Sequence, residues 1–170
     1  MSPSKFYITT PIYYVNAKPH IGTLYSSVIA DVIARLNRLS GKDVFFLTGT
    51  DEHGQKIQEK AAELGISPQV FVDSMIDPFK ETWLSYEIGF DKFIRTTSNE
   101  HKKGVLALVK KLQASNDIYK EAYKGWYCVP CETFVTTTTE QGCPTCHRPL
   151  KYIEEENYFF RLSAYQERLL

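Results

Sequence analysis

Between Lys5 and Thr48 the hydrophobic pattern changes its period twice, and that change limits the fold more than any other feature of the chain. Lys5 to Val15 is rich in β-branched and aromatic residues, as in a strand that runs into a loop. Pro19 turns Lys18 away from helical geometry, so Asn16 to Gly22 reads as loop. From Thr23 to Leu39 apolar residues recur at Leu24, Val28, Ile29, Val32, Ile33 and Leu36, a helical spacing, and Gly41 stands where a glycine stop belongs. Val44 to Thr48 is nearly all apolar, as expected of a strand buried on both faces. Strand, helix, strand makes a βαβ unit, which implies a parallel sheet.

The same reading continues downstream. Gln55 to Leu64 is a helix closed by Gly65, and Ser67-Pro68 opens another toward Tyr86, with Pro78 predicting a kink or break inside it. Phe93 to Arg95 is a candidate strand, and Ser98 to Ser115 a helix with Val105, Leu108, Val109 and Leu112 on one face. After Asn116-Asp117 the texture shifts to aromatics, short β-like pieces and all four cysteines, so a boundary is expected near residue 117, between segments 1–117 and 118–170. Thr136 to Thr139 reads as a polar strand or loop. Ser163 and Gln166 have capping-box spacing, which starts a helix near Ala164 with under two turns before Leu169-Leu170; a chain cut there is the expectation.

Length and charge exclude several classes. At 170 residues there is enough chain for one core with a small appendage. Twenty basic residues balance twenty acidic ones, which argues against a nucleic-acid coat over the whole surface. Residues 91–125 hold eight Lys/Arg against four Asp/Glu, read as a solvated helix face before an RNA-facing one. No apolar run approaches the roughly 18–20 residues that span a bilayer, and Met1 to Val15 resembles neither a secretory signal nor a presequence. A cytoplasmic location, with no membrane partner, is the expectation.

Cys128-x-x-Cys131 and Cys143-x-x-Cys146 are two pairs that can each bend around one ion, with Pro130 and Pro144 favouring tight turns. Four thiolates close a tetrahedral site with no open position, so the expected metal is structural zinc. A redox reading needs one pair in a thioredoxin-like setting, and that setting is missing. His147 adjoins Cys146 and is a competing ligand, although four cysteines suffice.

His20-Ile21-Gly22-Thr23 lies where the first strand ends and the helix begins, the edge at which open parallel sheets bind ligands. A helix start suits a triphosphate, Gly22 would let a flat base approach the backbone, and His20 can donate to a phosphoryl oxygen. On these four residues alone, a helix-start histidine with a turn glycine is the stronger reading. Context alters that balance. Thr9-Thr10-Pro11-Ile12-Tyr13-Tyr14-Val15-Asn16 leads into Pro19-His20-Ile21-Gly22, and Leu47-Thr48-Gly49-Thr50-Asp51-Glu52-His53-Gly54-Gln55-Lys56 follows the second strand. With Phe93-Ile94-Arg95-Thr96-Thr97, Gly125-Trp126-Tyr127-Cys128 and Glu155-Glu156-Asn157-Tyr158-Phe159-Phe160, this wording resembles the methionyl-tRNA synthetase family of the class I aminoacyl-tRNA synthetases over nearly the whole chain.

The resemblance implies the first half of a Rossmann-like catalytic fold over 1–117 and a zinc-knuckle connective peptide over 118–170. It implies a methionine-tRNA ligase, an enzyme that activates methionine with ATP (and its magnesium) and transfers it to tRNA(Met). His20 matches the first histidine of the family's His-Ile-Gly-His signature, and Thr23 stands at the signature's last histidine. A hydroxyl there can bond a phosphate but carries no charge, so weaker ATP contact is expected. His20, Gly22 and Thr23 would then meet ATP, with His20 and Thr23 acting in catalysis. Pro11, Ile12, Tyr14 and Asp51 would hold methionine, Asp51 through its ammonium group. Without the surrounding wording, Asp51 reads as a helix N-terminal acid and Tyr13 and Tyr14 as core. The family's Lys-Met-Ser-Lys-Ser-like loop and anticodon-binding domain have no counterpart in this sequence. The isolated chain is therefore expected to be inactive, as a fragment, as one subunit of a split enzyme completed by a second chain, or as a non-catalytic RNA-binding module.

Overall fold

The computed structural model describes residues 3–135 and 142–170, so the expectation for Thr136 to Thr139 lies outside the described residues. The chain divides into two compact units, Met1–Val105 and Leu106–Leu170. In the first, β1 (Lys5–Thr9), a two-residue β2 (Tyr13–Tyr14), α1 (Ile21–Leu39) and β3 (Asp43–Asp51) follow in order. After them come α2 (Gln55–Glu63), α3 (Pro68–Ser85), β4 (Lys92–Arg95) and the start of α4 (Asn99–Ala114).

The sheet is parallel throughout, as the βαβ pattern predicts. β3 is its centre: β1 pairs with its first half (Phe6 with Val44, Thr9 with Leu47), and β2 with its end (Tyr13 with Thr50, Tyr14 with Asp51). β4 takes the opposite side of β3, Leu47 beside Lys92 through Thr50 beside Arg95. The β3–β4 approach depends on Gly49, where a Cβ would lie 2.1 Å from the carbonyl oxygen of Ile94. A Gly inside a strand commonly marks such a close backbone approach.

The core joins Val15, Phe46, Ile57, Phe71, Val72, Phe79 and Trp83 with Ala30 and Ala34 of α1. α1 therefore docks through its small residues, Thr23, Ser27, Ala30, Asp31 and Ala34, whereas the larger aliphatics that reveal the helix point outward. Val32 is 58% and Leu36 62% exposed. The stripe that identifies this helix is not the stripe it buries: small side chains let a helix sit close to a sheet, and bulk is left on the other side.

One further expectation is narrowed. Of the kink or break expected at Pro78, the break does not occur, and α3 runs through it. The lost backbone bond is outweighed by burial of Phe71, Val72, Ile76, Phe79 and Trp83, and Thr82 donates its hydroxyl to the Pro78 carbonyl at 2.8 Å. α4 forms over Asn99–Ala114, close to the expected Ser98 to Ser115, and none of its residues is buried.

In the second unit, β5 (Ile118–Cys128) and β7 (Lys151–Phe160) form a long antiparallel ribbon from Ile118–Phe160 to Tyr127–Lys151, with β6 (Thr133–Val135) on the other edge of β5. Tyr119, Tyr123, Phe134 and Phe159 pack ring against ring on it, an arrangement that stabilises paired strands. A single-turn 3-10 element (Leu162–Tyr165) and α5 (Gln166–Leu169) follow, close to the expected start at Ala164. Among the described residues, no helix is long and apolar enough to cross a membrane.

Candidate active site and metal centre

At the carboxyl edge of the first unit's sheet, a cavity of about 360 Å³ opens among the β2 segment, the loop before α1 and the first turn of that helix. Ile12, Tyr13, Tyr14, His20, Gly22 and Thr23 line it, with Asn16, Ala17, Lys18 and Phe79. Five residues singled out in the sequence thus share one cavity: Ile12, Tyr14, His20, Gly22 and Thr23. Pro11 and Asp51 are not in its lining, although Asp51 is the register partner of Tyr14 on the neighbouring strand.

His20 is the N-cap of α1. Its backbone is extended (φ −124°, ψ 172°), and its Nδ1 accepts a hydrogen bond from the Gly22 N–H at 3.1 Å. In the neutral ring an accepting Nδ1 leaves the proton on Nε2, so the imidazole has a donor on its far side. The geometry also restricts Gly22: a Cβ there would stand 3.0 Å from His20 Cε1, tighter than a normal contact. Thr23 is only 7% exposed, so what it offers a ligand is limited to what reaches the cavity wall.

Sequence reasoning missed the second layer. Tyr13 bonds Ser26 and Ser27 through its hydroxyl, at 2.8 and 2.9 Å, and its ring lies 5.6 Å from that of Trp83. Phe79 stacks on Trp83 at 5.4 Å and reaches the cavity. The helical spacing of Phe79 and Trp83 on α3 was the available signal, but it does not say which cavity they border.

Beside Asp51, Glu52 is a buried carboxylate with several donors. Arg95 donates Nε to Oε1 at 2.8 Å and Nη2 to Oε2 at 3.0 Å, Thr50 donates to Oε1 at 2.6 Å, and Thr97 donates to Oε2. Burial alone would raise its pKa, but the Arg95, Thr50 and Thr97 hydrogen bonds and the Arg95 charge outweigh it, and the carboxyl is held below its ordinary value. Arg95 also reaches Asp73 on α3 at 2.6 Å.

In the second unit all four cysteine sulfurs lie within 4.8 Å of one another. Cys128 Sγ is 3.5 Å from Cys146 Sγ, and Cys131 Sγ is 3.9 Å from Cys143 Sγ. Four sulfurs about 2.3 Å from one tetrahedral zinc would stand about 3.8 Å apart, so the donor set fits that ion. None is in a disulfide, and Cys128 and Cys143 are fully buried. Backbone N–H groups of Cys146 and Thr145 point at the Cys143 sulfur and, against burial, bring its thiol down to about 6. The neighbouring sulfurs of Cys146 and Cys128 push Cys131 up to about 12. Four sulfurs converging in this way are the donor set of a structural cation. His147 is not among the clustered ligands.

The family model "tRNA synthetases class I (M)" matches residues 6–152. The chain belongs to this family. Among curated class I (M) relatives, the methionine–tRNA ligase of Thermotoga maritima is 55% identical over 172 residues, covering 98% of this chain and 27% of that protein. The ligase of Clostridium tetani is 53% identical over 172 residues, covering 100% of this chain and 27% of that protein. Among solved structures, Mycobacterium tuberculosis methionyl-tRNA synthetase in complex with methionyl-adenylate superposes with a TM-score of 0.91 at 40% identity, covering 98% of this chain and 34% of that one. The chain thus spans about a quarter of the length of the curated synthetases it matches.

Proposed function

We propose that this chain supplies the N-terminal part of a methionine–tRNA ligase, with 1–117 as the first half of its catalytic domain and 118–170 as its zinc-bearing connective peptide. The observation that carries the reading is the single cavity shared by Ile12, Tyr14, His20, Gly22 and Thr23, in a chain 55% identical to a methionine–tRNA ligase. A methionine carboxylate oxygen attacks the α-phosphorus of ATP, the bond to the β,γ-diphosphate breaks, and methionyl-adenylate and pyrophosphate result. The work is positioning and oxyanion stabilisation, and no nucleophilic side chain is needed.

In this reading His20, with Nδ1 engaged by Gly22, donates Nε2–H to the α-phosphoryl oxygen on which charge builds. Thr23 adds a hydroxyl where the family signature has histidine. Asp51 accepts the substrate ammonium from the strand beside Tyr14, while Pro11, Ile12 and the Tyr14 ring bound the apolar side chain. A thioether offers shape and polarizability, so such walls must select it. Zinc on Cys128, Cys131, Cys143 and Cys146 is structural and shapes the second unit, on the path of the acceptor end of tRNA(Met). Cytoplasm, where the aminoacylated tRNA is used, belongs to the same proposal.

The test is methionine-dependent ATP–pyrophosphate exchange by the chain alone and by the chain joined, in one polypeptide or as a second subunit, to the remainder of the ligase. Exchange is expected only from the joined form and is expected to vanish with His20→Ala. RNA binding by the chain with no affinity for methionine or ATP in either form would instead mark a non-catalytic module.

A further inference from the structure

We propose that Glu52 is a positioning residue for recognition of the substrate ammonium: it fixes the carboxyl end of β3 so that its neighbour Asp51 keeps one place at the sheet edge. The inference rests on the reading of Asp51 as the ammonium acceptor. Two segments more than forty residues apart are joined here side chain to backbone and side chain to side chain. Besides the Arg95, Thr50 and Thr97 bonds to its carboxylate, the Glu52 N–H donates to Thr96 Oγ1 at 2.8 Å. The Thr96 N–H donates to the Thr50 carbonyl at 3.3 Å, and His53 Nε2 lies 3.3 Å from the Thr96 carbonyl.

The clamp grips residues on either side of Asp51 and leaves Asp51 itself out. Successive side chains of a strand point to opposite faces. Thr50 and its partner Tyr13 share the more buried face, with Thr50 fully enclosed, and Asp51 shares the other face with Tyr14; both tyrosines border the cavity, and Asp51 lies beside them on the next strand. Pinning 50 and 52 therefore sets where 51 points.

The energetics favour this role over simple stabilisation. Glu52 is 3% exposed, and a buried ion pair gains little over well-packed apolar residues of the same size. What four donors on one carboxylate do supply is a unique geometry for the loop that carries it. Arg95 extends the clamp to Asp73 on α3, so the connection is braced against a helix as well as a strand. A displacement of about 1 Å at a binding carboxylate can cost about a hundredfold in rate.

The experiment uses the ligase assembled from this chain and its remainder. Inhibition and binding constants are measured for methionine and for 4-(methylthio)butanoate, the same molecule without its amine, and KM is measured for ATP. Glu52→Gln keeps the shape but cannot accept both Arg95 bonds. It is expected to weaken methionine about tenfold while leaving the deamino acid and the ATP KM unchanged. Thr97→Val, which removes one donor, should shift the same ratio in the same direction by less, and it carries the test if Glu52→Gln does not fold. Equal weakening of both acids, or a lowered Tm with the methionine preference intact, would make Glu52 merely structural and overturn the proposal. Failure of the unaltered ligase to bind methionine would instead overturn the reading of the site, and this inference with it.

Discussion

The imidazole of His20 closes the first turn of α1 on itself by accepting the Gly22 N–H at 3.1 Å, so the residue that caps the helix is also the one that faces the cavity. Two substitutions separate these roles. Gly22→Ala puts a Cβ 3.0 Å from the ring, which must give way slightly. Alanine in place of glycine gains about 0.5–1 kcal/mol of helix stability, which offsets the loss of one cap bond. The expected outcome is an unchanged Tm with ATP–pyrophosphate exchange of the assembled ligase reduced at least about tenfold, or ~1.4 kcal/mol in barrier. His20→Asn keeps a good N-cap and is expected to lose about a hundredfold or more in exchange, the scale of one oxyanion donor. Thermal melts beside exchange assays check both.

Gly49→Ala is expected to be far worse for the fold than for any ligand. Its Cβ would meet the Ile94 carbonyl oxygen at 2.1 Å, and neither strand can yield without breaking the β3–β4 ladder. A loss above about 4 kcal/mol is expected, read as a shift in the urea midpoint. An unaltered midpoint would mean that β4 does not lie where it is described.

Acid should loosen the first unit through Glu52. Its carboxyl is held below the ordinary glutamate value, so the folded form gives up that proton more readily than the unfolded chain. The stability it contributes is complete above about 4.3, the ordinary value, and is lost as pH falls from there through the lower folded value. Urea unfolding between pH 7 and pH 3 should show that decline, and Glu52→Gln should flatten it.

For the second unit, native mass spectrometry is expected to find one zinc per chain. Cys143→Ala should lose it, and since metal binding to four converging sulfurs couples to folding, a chelator should unfold the knuckle while leaving the first unit's circular dichroism in place. A metal-free chain with four titratable thiols and an unchanged fold would contradict this.

The parallel sheet was legible because a change from strand to helical period and back admits few architectures, and the cysteine cluster because two pairs at that spacing have one simple geometric solution. The packing of α1 was not legible. Periodicity marks Val28, Ile29, Val32, Ile33 and Leu36, yet the residues the helix buries include Ser27, Ala30 and Ala34, whose small size matters only once the helix has been docked. Pro78 shows the limit of a local rule, since tertiary burial around it overrode the expected break. At the candidate site, the strand–loop–helix wording pointed to the cavity walls from Ile12 to Thr23. It gave no hint that Glu52 answers to Arg95 and Thr97 more than forty residues on, because ion pairing across a sheet leaves no periodic trace.

The outward stripe of α1 has a consequence for how such a protein behaves in solution. Ile21, Tyr25, Val28, Ile29, Val32, Leu36 and Leu39 give the helix an oily flank open to water. An open apolar flank of this kind invites dye uptake and self-association.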